Sequence, residues 1–135
     1  MFPAATTEEL IRLQRECRLG YVDPALIQYA VRLVSATRTP EKHGLKDLDK
    51  YLTFGASPRA TIGLIEGAKA MAMLRGRGYA LPEDVSDLVP DVLRHRLVLS
   101  YEALADGCSA DQIVTQIVQK VPQPDKPLAH HPDER

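Results

Sequence analysis

The sequence predicts a mainly α-helical bundle carrying one small two-stranded β-ribbon, and three observations predict it. Helix-start signals recur along the chain, most clearly at Asp23-Pro24 and Ser57-Pro58, where a short polar cap precedes a proline whose missing N–H costs nothing. Apolar residues spaced by three and four follow those starts. Only two runs lean towards strand, Tyr51–Phe54 and Arg96–Leu99, and they are short enough to pair as a ribbon and no more.

Thr6-Thr7-Glu8-Glu9 reads as a capping box, with Leu10, Leu13 and Cys17 on one face of the helix it opens. That helix should end near Gly20. Asp23-Pro24 opens the next helix, where Leu26, Ile27, Ala30, Val31, Leu33 and Val34 form a wide apolar stripe that belongs in the core. Pro40 stops it, since a residue before proline avoids helical backbone. Arg38 then sits at a helix C-terminus, where a cation is favoured on local grounds alone. The segment from Pro40 to Lys50 is polar. It reads as a loop with a short helical turn over Leu45–Leu48, and its His43 as solvated.

Gly55 after the first strand lets the backbone turn or approach something closely. Ser57 is then expected to cap a helix whose first residue is Pro58 and which runs to about Arg77. Ala60, Gly63, Gly67 and Ala70 line one face. Interior glycines cost roughly 1 kcal/mol each against alanine, so a close neighbouring backbone is expected there. Leu64, Ile65, Ala68, Met71 and Ala72 give a larger apolar face, which makes this the central helix. Arg75 and Arg77 suit its negative end, with Gly76 or Gly78 free to form the left-handed cap.

Pro82-Glu83-Asp84-Val85 opens a further helix, acidic in its first turn. Pro90 starts a second piece with Val92 and Leu93. His95 is expected to be packed and hydrogen-bonded. Ser109-Ala110-Asp111-Gln112 is a second capping box, and Ile113, Val114, Ile117, Val118 and Val121 make the last core face. From Pro122 the composition shifts to proline and charge, a disordered tail by composition. His130-His131 in it makes a weak metal site.

Composition narrows the function. At 135 residues the chain suits one domain with a modest core. A formal net charge of −1 argues against a strong sequence-independent grip on nucleic acid. No secretory signal and no membrane span are visible. Cys17 and Cys108 lack metal-ligand spacing and read as reduced thiols, so a cytoplasmic protein is expected. There is no Gly-x-x-x-x-Gly-Lys-[Ser/Thr] loop, no strand ending in paired acids and no nucleophile–base arrangement. The chain alone should not hydrolyse ATP, and no metal site is expected.

Arg59 is the residue that local physics leaves in question. In a first helical turn a cation loses about 0.3–1 kcal/mol relative to a carboxylate. A helix start instead suits phosphate, and a guanidinium recognises the same anion in bidentate fashion. Arg59 is therefore either a solvated surface side chain or a phosphate contact for a nucleotide supplied from elsewhere.

Gly55-Ala56-Ser57-Pro58-Arg59-Ala60, followed by Leu74-Arg75-Gly76-Arg77 and Pro82-Glu83-Asp84-Val85, resembles the lid subdomain of MoxR-family AAA+ ATPases, relatives of the magnesium-chelatase ATPase subunit. The likeness runs from about Tyr21 to Val121 and extends to Thr37-Arg38 and to His95-Arg96-Leu97. It departs at Leu81, where the family has Thr or a similar cap. The resemblance implies an AAA+ lid at residues 21–121, entered by a linker helix over residues 1–20 from a nucleotide-binding core preceding Met1, with residues 122–135 as the tail. It implies that Arg59 is the sensor-2 arginine, with Ser57 and Pro58 beside the nucleotide, and that Arg38 could face a neighbouring subunit. It implies ATP and Mg2+ in the parent protein, lids and cores arranged in a ring, typically a hexamer, partners with von Willebrand A-type domains, and a chaperone-like role in protein or metalloenzyme maturation. A free-standing helical interaction module, using the small-residue groove or the tail, is the alternative.

Overall fold

The computed structural model describes residues 3–125. The capping box at Thr6 forms as the sequence predicts. Thr6 Oγ1 accepts from the Glu9 N–H at 3.1 Å, and Glu9 Oε2 accepts from the Thr6 N–H at 3.1 Å. It opens α1 (Thr7–Arg18). Asp23 caps α2 (Pro24–Arg38), accepting from the Ala25 N–H at 2.8 Å. Two 3-10 turns follow, Pro40–His43 and Lys46–Tyr51, then β1 (Leu52–Phe54) and α3 (Arg59–Leu74). The short helices α4 (Pro82–Ser86) and α5 (Val89–Leu93), a 3-10 turn over Arg94–Arg96, β2 (Val98–Leu99), α6 (Tyr101–Ala105) and α7 (Ala110–Lys120) complete the order. The strands pair antiparallel, Leu52 with Leu99 and Phe54 with Val98, which is the expected ribbon.

The core is a single cluster. Tyr29, Leu26, Leu33, Leu48, Leu64, Leu93, Ile113 and Ile117 are its largest fully buried members. α3 is the central helix and packs against α1, α2, α4 and α5. Its buried face consists of Ala60, Leu64, Ala68 and Ala72, small enough for neighbours on several sides to approach. The α2 stripe is narrower than expected: Ile27 and Val31 are exposed, because they lie on the edge of the face that meets α3. Leu45, Tyr51, Leu52 and Leu99 close the core from the ribbon side. Among the described residues no helix is long and apolar enough to cross a membrane.

Several local expectations are corrected. The Ser57 hydroxyl does not cap α3. Pro58 stands at the cap position in helical backbone, and no side chain caps the helix there. The Ser57 carbonyl instead accepts from the Ala60 N–H at 3.0 Å. The glycine line of α3 faces side chains rather than another backbone. A Cβ at Gly63 would lie 3.5 Å from Val92 Cγ1, and one at Gly67 would lie 2.9 Å from Leu88 Cδ1. α3 ends at Leu74, three residues early, and Gly76 (φ 79°) supplies the left-handed turn. His95 is exposed, since the turn over Arg94–Arg96 points outward before β2 begins. His43 is half-buried beside α2, with Nε2 at 3.2 Å from Ser35 Oγ.

Gly55 does make the expected close approach. A Cβ there would fall 2.2 Å from the Thr37 carbonyl oxygen and 2.7 Å from the Arg38 nitrogen. Backbone cannot yield as a flexible side chain can, so Gly55→Ala should cost about 2–3 kcal/mol through overpacking. Gly63→Ala meets only ordinary contact and gains helix propensity, so it should stabilise by about 0.5–1 kcal/mol. Urea unfolding of the two variants checks both signs; equal midpoints would contradict the packing described.

Candidate functional site

The resemblance-implied residues Arg38, Ser57, Pro58 and Arg59 come together at one end of the α2–α3 pair. What joins them is Thr37. Its side chain is buried in the last turn of α2. Its Oγ1 donates to the Val34 carbonyl at 2.6 Å and accepts from the Ala56 N–H at 2.9 Å. With Gly55 pressed against the Thr37–Arg38 peptide, the chain is held on both sides of the bend that leads into α3. Ala56 is buried there, while Ser57, Pro58 and Arg59 turn out to solvent. Arg38 is likewise exposed.

Arg59 thus stands at the open start of a 16-residue helix that no side chain caps. Among the described residues no ion pair engages its guanidinium. The other end of α3 contrasts with it. Asp84 is fully buried and takes both neighbouring arginines. Arg77 binds it through two nitrogens at 2.8 Å each, and Arg75 Nη1 binds it at 2.8 Å while Nη2 reaches Asp87 at 2.7 Å. Asp84 Oδ2 also accepts from the Leu81 N–H at 2.7 Å, so the box that Leu81 cannot make with its own side chain is half supplied from Asp84. Arg77 further lies over the Tyr79 ring, and Tyr21 adds backbone bonds to Gly78 and Ala80 at 2.9 Å. Arg75 and Arg77 are thereby structural, as their place at a helix end suggested.

Along the α2–α3 pair, Ile27 of α2 and Thr61, Ile62, Ile65 and Glu66 of α3 line a shallow, mostly aliphatic groove. The small-residue line offered as an alternative groove is occupied by Leu88 and Val92. The tail as a binding element lies largely outside the described residues, as do His130 and His131. Cys17 and Cys108 are free and half-buried. Among the described residues no group of three or more His, Cys, Asp or Glu side chains gathers as a metal-ligand set. Sequence reasoning noted Thr37 only as part of the Thr37-Arg38 likeness and missed its bond to Ala56. A threonine in the last turn of a helix bonds its own helix so commonly that its type alone signals nothing.

A helical bundle with a two-strand ribbon is the fold expected from the resemblance to an ATPase lid. The AAA lid domain family model matches residues 44–117. Chaperone MoxR1 of Mycobacterium tuberculosis is 47% identical over 119 residues, which is 88% of this chain and 32% of that protein. MoxR of Methylorubrum extorquens is 32% identical over 108 residues, 76% of this chain and 31% of that one. A solved chain from Cytophaga hutchinsonii, assigned there as an ATPase, superposes with a TM-score of 0.84 at 39% identity, covering 87% of this chain and 36% of its own. The chain belongs to the AAA lid domain family and is of the MoxR type. It spans about a third of the length of the curated relatives it matches.

The buried Asp84 gives the lid an acid-sensitive point. Burial pushes its carboxyl up, but the Arg77 bonds, the Leu81 N–H and Arg75 outweigh that and leave it below the ordinary value of 3.8. A depressed folded-state value means stability that is present above the unfolded value and is lost as pH falls through the folded one. Stability should therefore fall below about pH 4, the ordinary carboxylate range. Asp84→Asn should cost roughly 2–3 kcal/mol, less than a fully dry pair because Arg75 keeps contact with water. It should also flatten the acid limb of a urea-midpoint-versus-pH curve, and an unchanged limb would assign the acid sensitivity elsewhere.

Proposed function

We propose that this lid senses nucleotide on behalf of a AAA+ core, with Arg59 as the sensor-2 arginine. The observation that carries the reading is an exposed guanidinium, free of internal ion pairs among the described residues, at an uncapped helix start. Both features fit a terminal phosphate: the helix end favours the anion and the guanidinium binds it in bidentate fashion. Ser57 and Pro58 flank the contact. The core would supply the phosphate-binding loop and the carboxylates for Mg2+. ATP and Mg2+ are thus cofactors of the whole protein.

Arg59 would bind the terminal phosphates across the lid–core cleft. When that charge-assisted contact is lost, the lid is released to rotate. In a ring, with a hexamer the expected form, Arg38 would face the neighbouring subunit and pass the rotation on. The name of the Mycobacterium tuberculosis relative supports a chaperone-like role, here in protein or metalloenzyme maturation. Partners with von Willebrand A-type domains and a cytoplasmic location belong to the same reading.

Arg59→Ala in the longer protein that carries this lid should lower ATP turnover by roughly ten- to a hundredfold, the worth of one hydrogen-bonded charge. Steady-state turnover and nucleotide titration check this, and wild-type values for both would remove the sensor role. The 135-residue chain alone should show no saturable ATP binding by titration calorimetry.

A further inference from the structure

We infer that Thr37 is the positioning residue of this site: its hydroxyl fixes the bearing of Arg59 relative to Arg38, so that a contact made at one arginine is felt at the other. The inference rests on the sensor reading of Arg59 for its functional consequence, though not for its geometry.

Within the connection from β1 to α3, side-chain anchors are few. α3 lacks a side-chain cap, and Ser57 and Pro58 are exposed. Of the residues between the strand and Arg59, the Ala56 N–H is the one anchored to a side chain, and its acceptor is Thr37 Oγ1 at 2.9 Å. That oxygen cannot swing away freely, because its proton is given to the Val34 carbonyl at 2.6 Å. Thr37 is 1% exposed, so no water competes for either bond. Arg38 follows Thr37 directly, and Arg59 lies three residues beyond Ala56. A shift of the α2 end therefore moves the acceptor of the bond that aims α3. Gly55 stops the two backbones from separating into a looser fit, since it already lies against the Thr37 carbonyl. A side chain that kept only the shape of threonine would preserve the packing and lose the aim.

The test uses the full chain with Cys17 and Cys108 replaced by serine and spin labels placed at positions 38 and 59. One narrow distance distribution is expected with Thr37 and with Thr37→Ser. Thr37→Val and Thr37→Ala should each broaden it, and Ala56 amide exchange should quicken by roughly tenfold or more in both. Two hydroxyl-free variants guard against one failing to fold. A distribution left narrow in both overturns the inference, as does equal broadening in the serine variant, which would place the effect in the methyl packing. In the longer protein, the effects of Arg38→Ala and Arg59→Ala on ATP turnover should be non-additive with Thr37 and additive with Thr37→Val. Additivity in both backgrounds overturns the coupling. An Arg59→Ala variant without effect would fail the sensor reading alone, leaving the spin-label result to decide the joint.

Discussion

The contact between Gly55 and the Thr37 carbonyl sets the terms for the rest of this domain. A residue without a side chain lets the ribbon's exit strand touch the end of α2, where any Cβ would overlap a peptide group. That approach brings the Ala56 N–H within reach of the Thr37 hydroxyl and buries it. An unpaired buried N–H would be costly, so glycine and threonine depend on each other. With the joint closed, α3 starts where α2 ends and runs back along it. Its central position follows, as does the burial of Ala60, Leu64, Ala68 and Ala72. The ribbon is held to the same joint from the other side: Ser100 donates to the Lys50 carbonyl at 2.6 Å, and its N–H to the Tyr51 carbonyl at 2.9 Å.

The two ends of α3 use arginine in opposite ways. At the C-terminus, Arg75 and Arg77 are spent on a carboxylate that burial would otherwise make untenable. Three parties are needed, because one arginine leaves part of the Asp84 acceptor capacity unfilled in a dry site. The result ties α4 to α3 and, through Tyr79 and Tyr21, ties the segment after α1 to both. At the N-terminus the sequence places a cation where the helix dipole disfavours it, and among the described residues no ion pair engages it. The contrast between a fully paired end and an exposed Arg59 is what the proposed sensor role draws on.

Much of this was legible in the sequence because caps and prolines act locally. The boxes at Thr6 and Ser109, the Asp23 cap and the starts at Pro24 and Pro82 needed no tertiary information. What failed were inferences that depend on neighbours. Ser57 looks like a cap, but the joint with Thr37 holds the preceding backbone so that Pro58 takes that place. The glycine line of α3 suggested a second backbone, yet large side chains from α4 and α5 fill it equally well. Helix α6 was hidden because Ser100 lacks the Glu or Gln three residues on that marks a box, although its Oγ still accepts from the Ala103 N–H. Of the candidate site, the residue types were readable from the resemblance. That Arg38 and Arg59 share one end, and that Thr37 joins them, required the fold.

Under the proposed sensor role the joint would matter because charge alone is a poor instrument here. A guanidinium in water interacts with a distant phosphate weakly, and salt weakens it further. In the proposed sensor role, recognition by Arg59 would become strong only when a second surface excludes water around it. Once water is excluded, the strength of a bidentate contact depends steeply on angle and distance. An arginine on a loosely held helix would spend part of the interaction on restricting that helix. On a helix whose start is already held by the Thr37 hydrogen bonds and a glycine contact, that ordering cost is met in folding, and in the proposed role the contact would be left to report whether the phosphate is there.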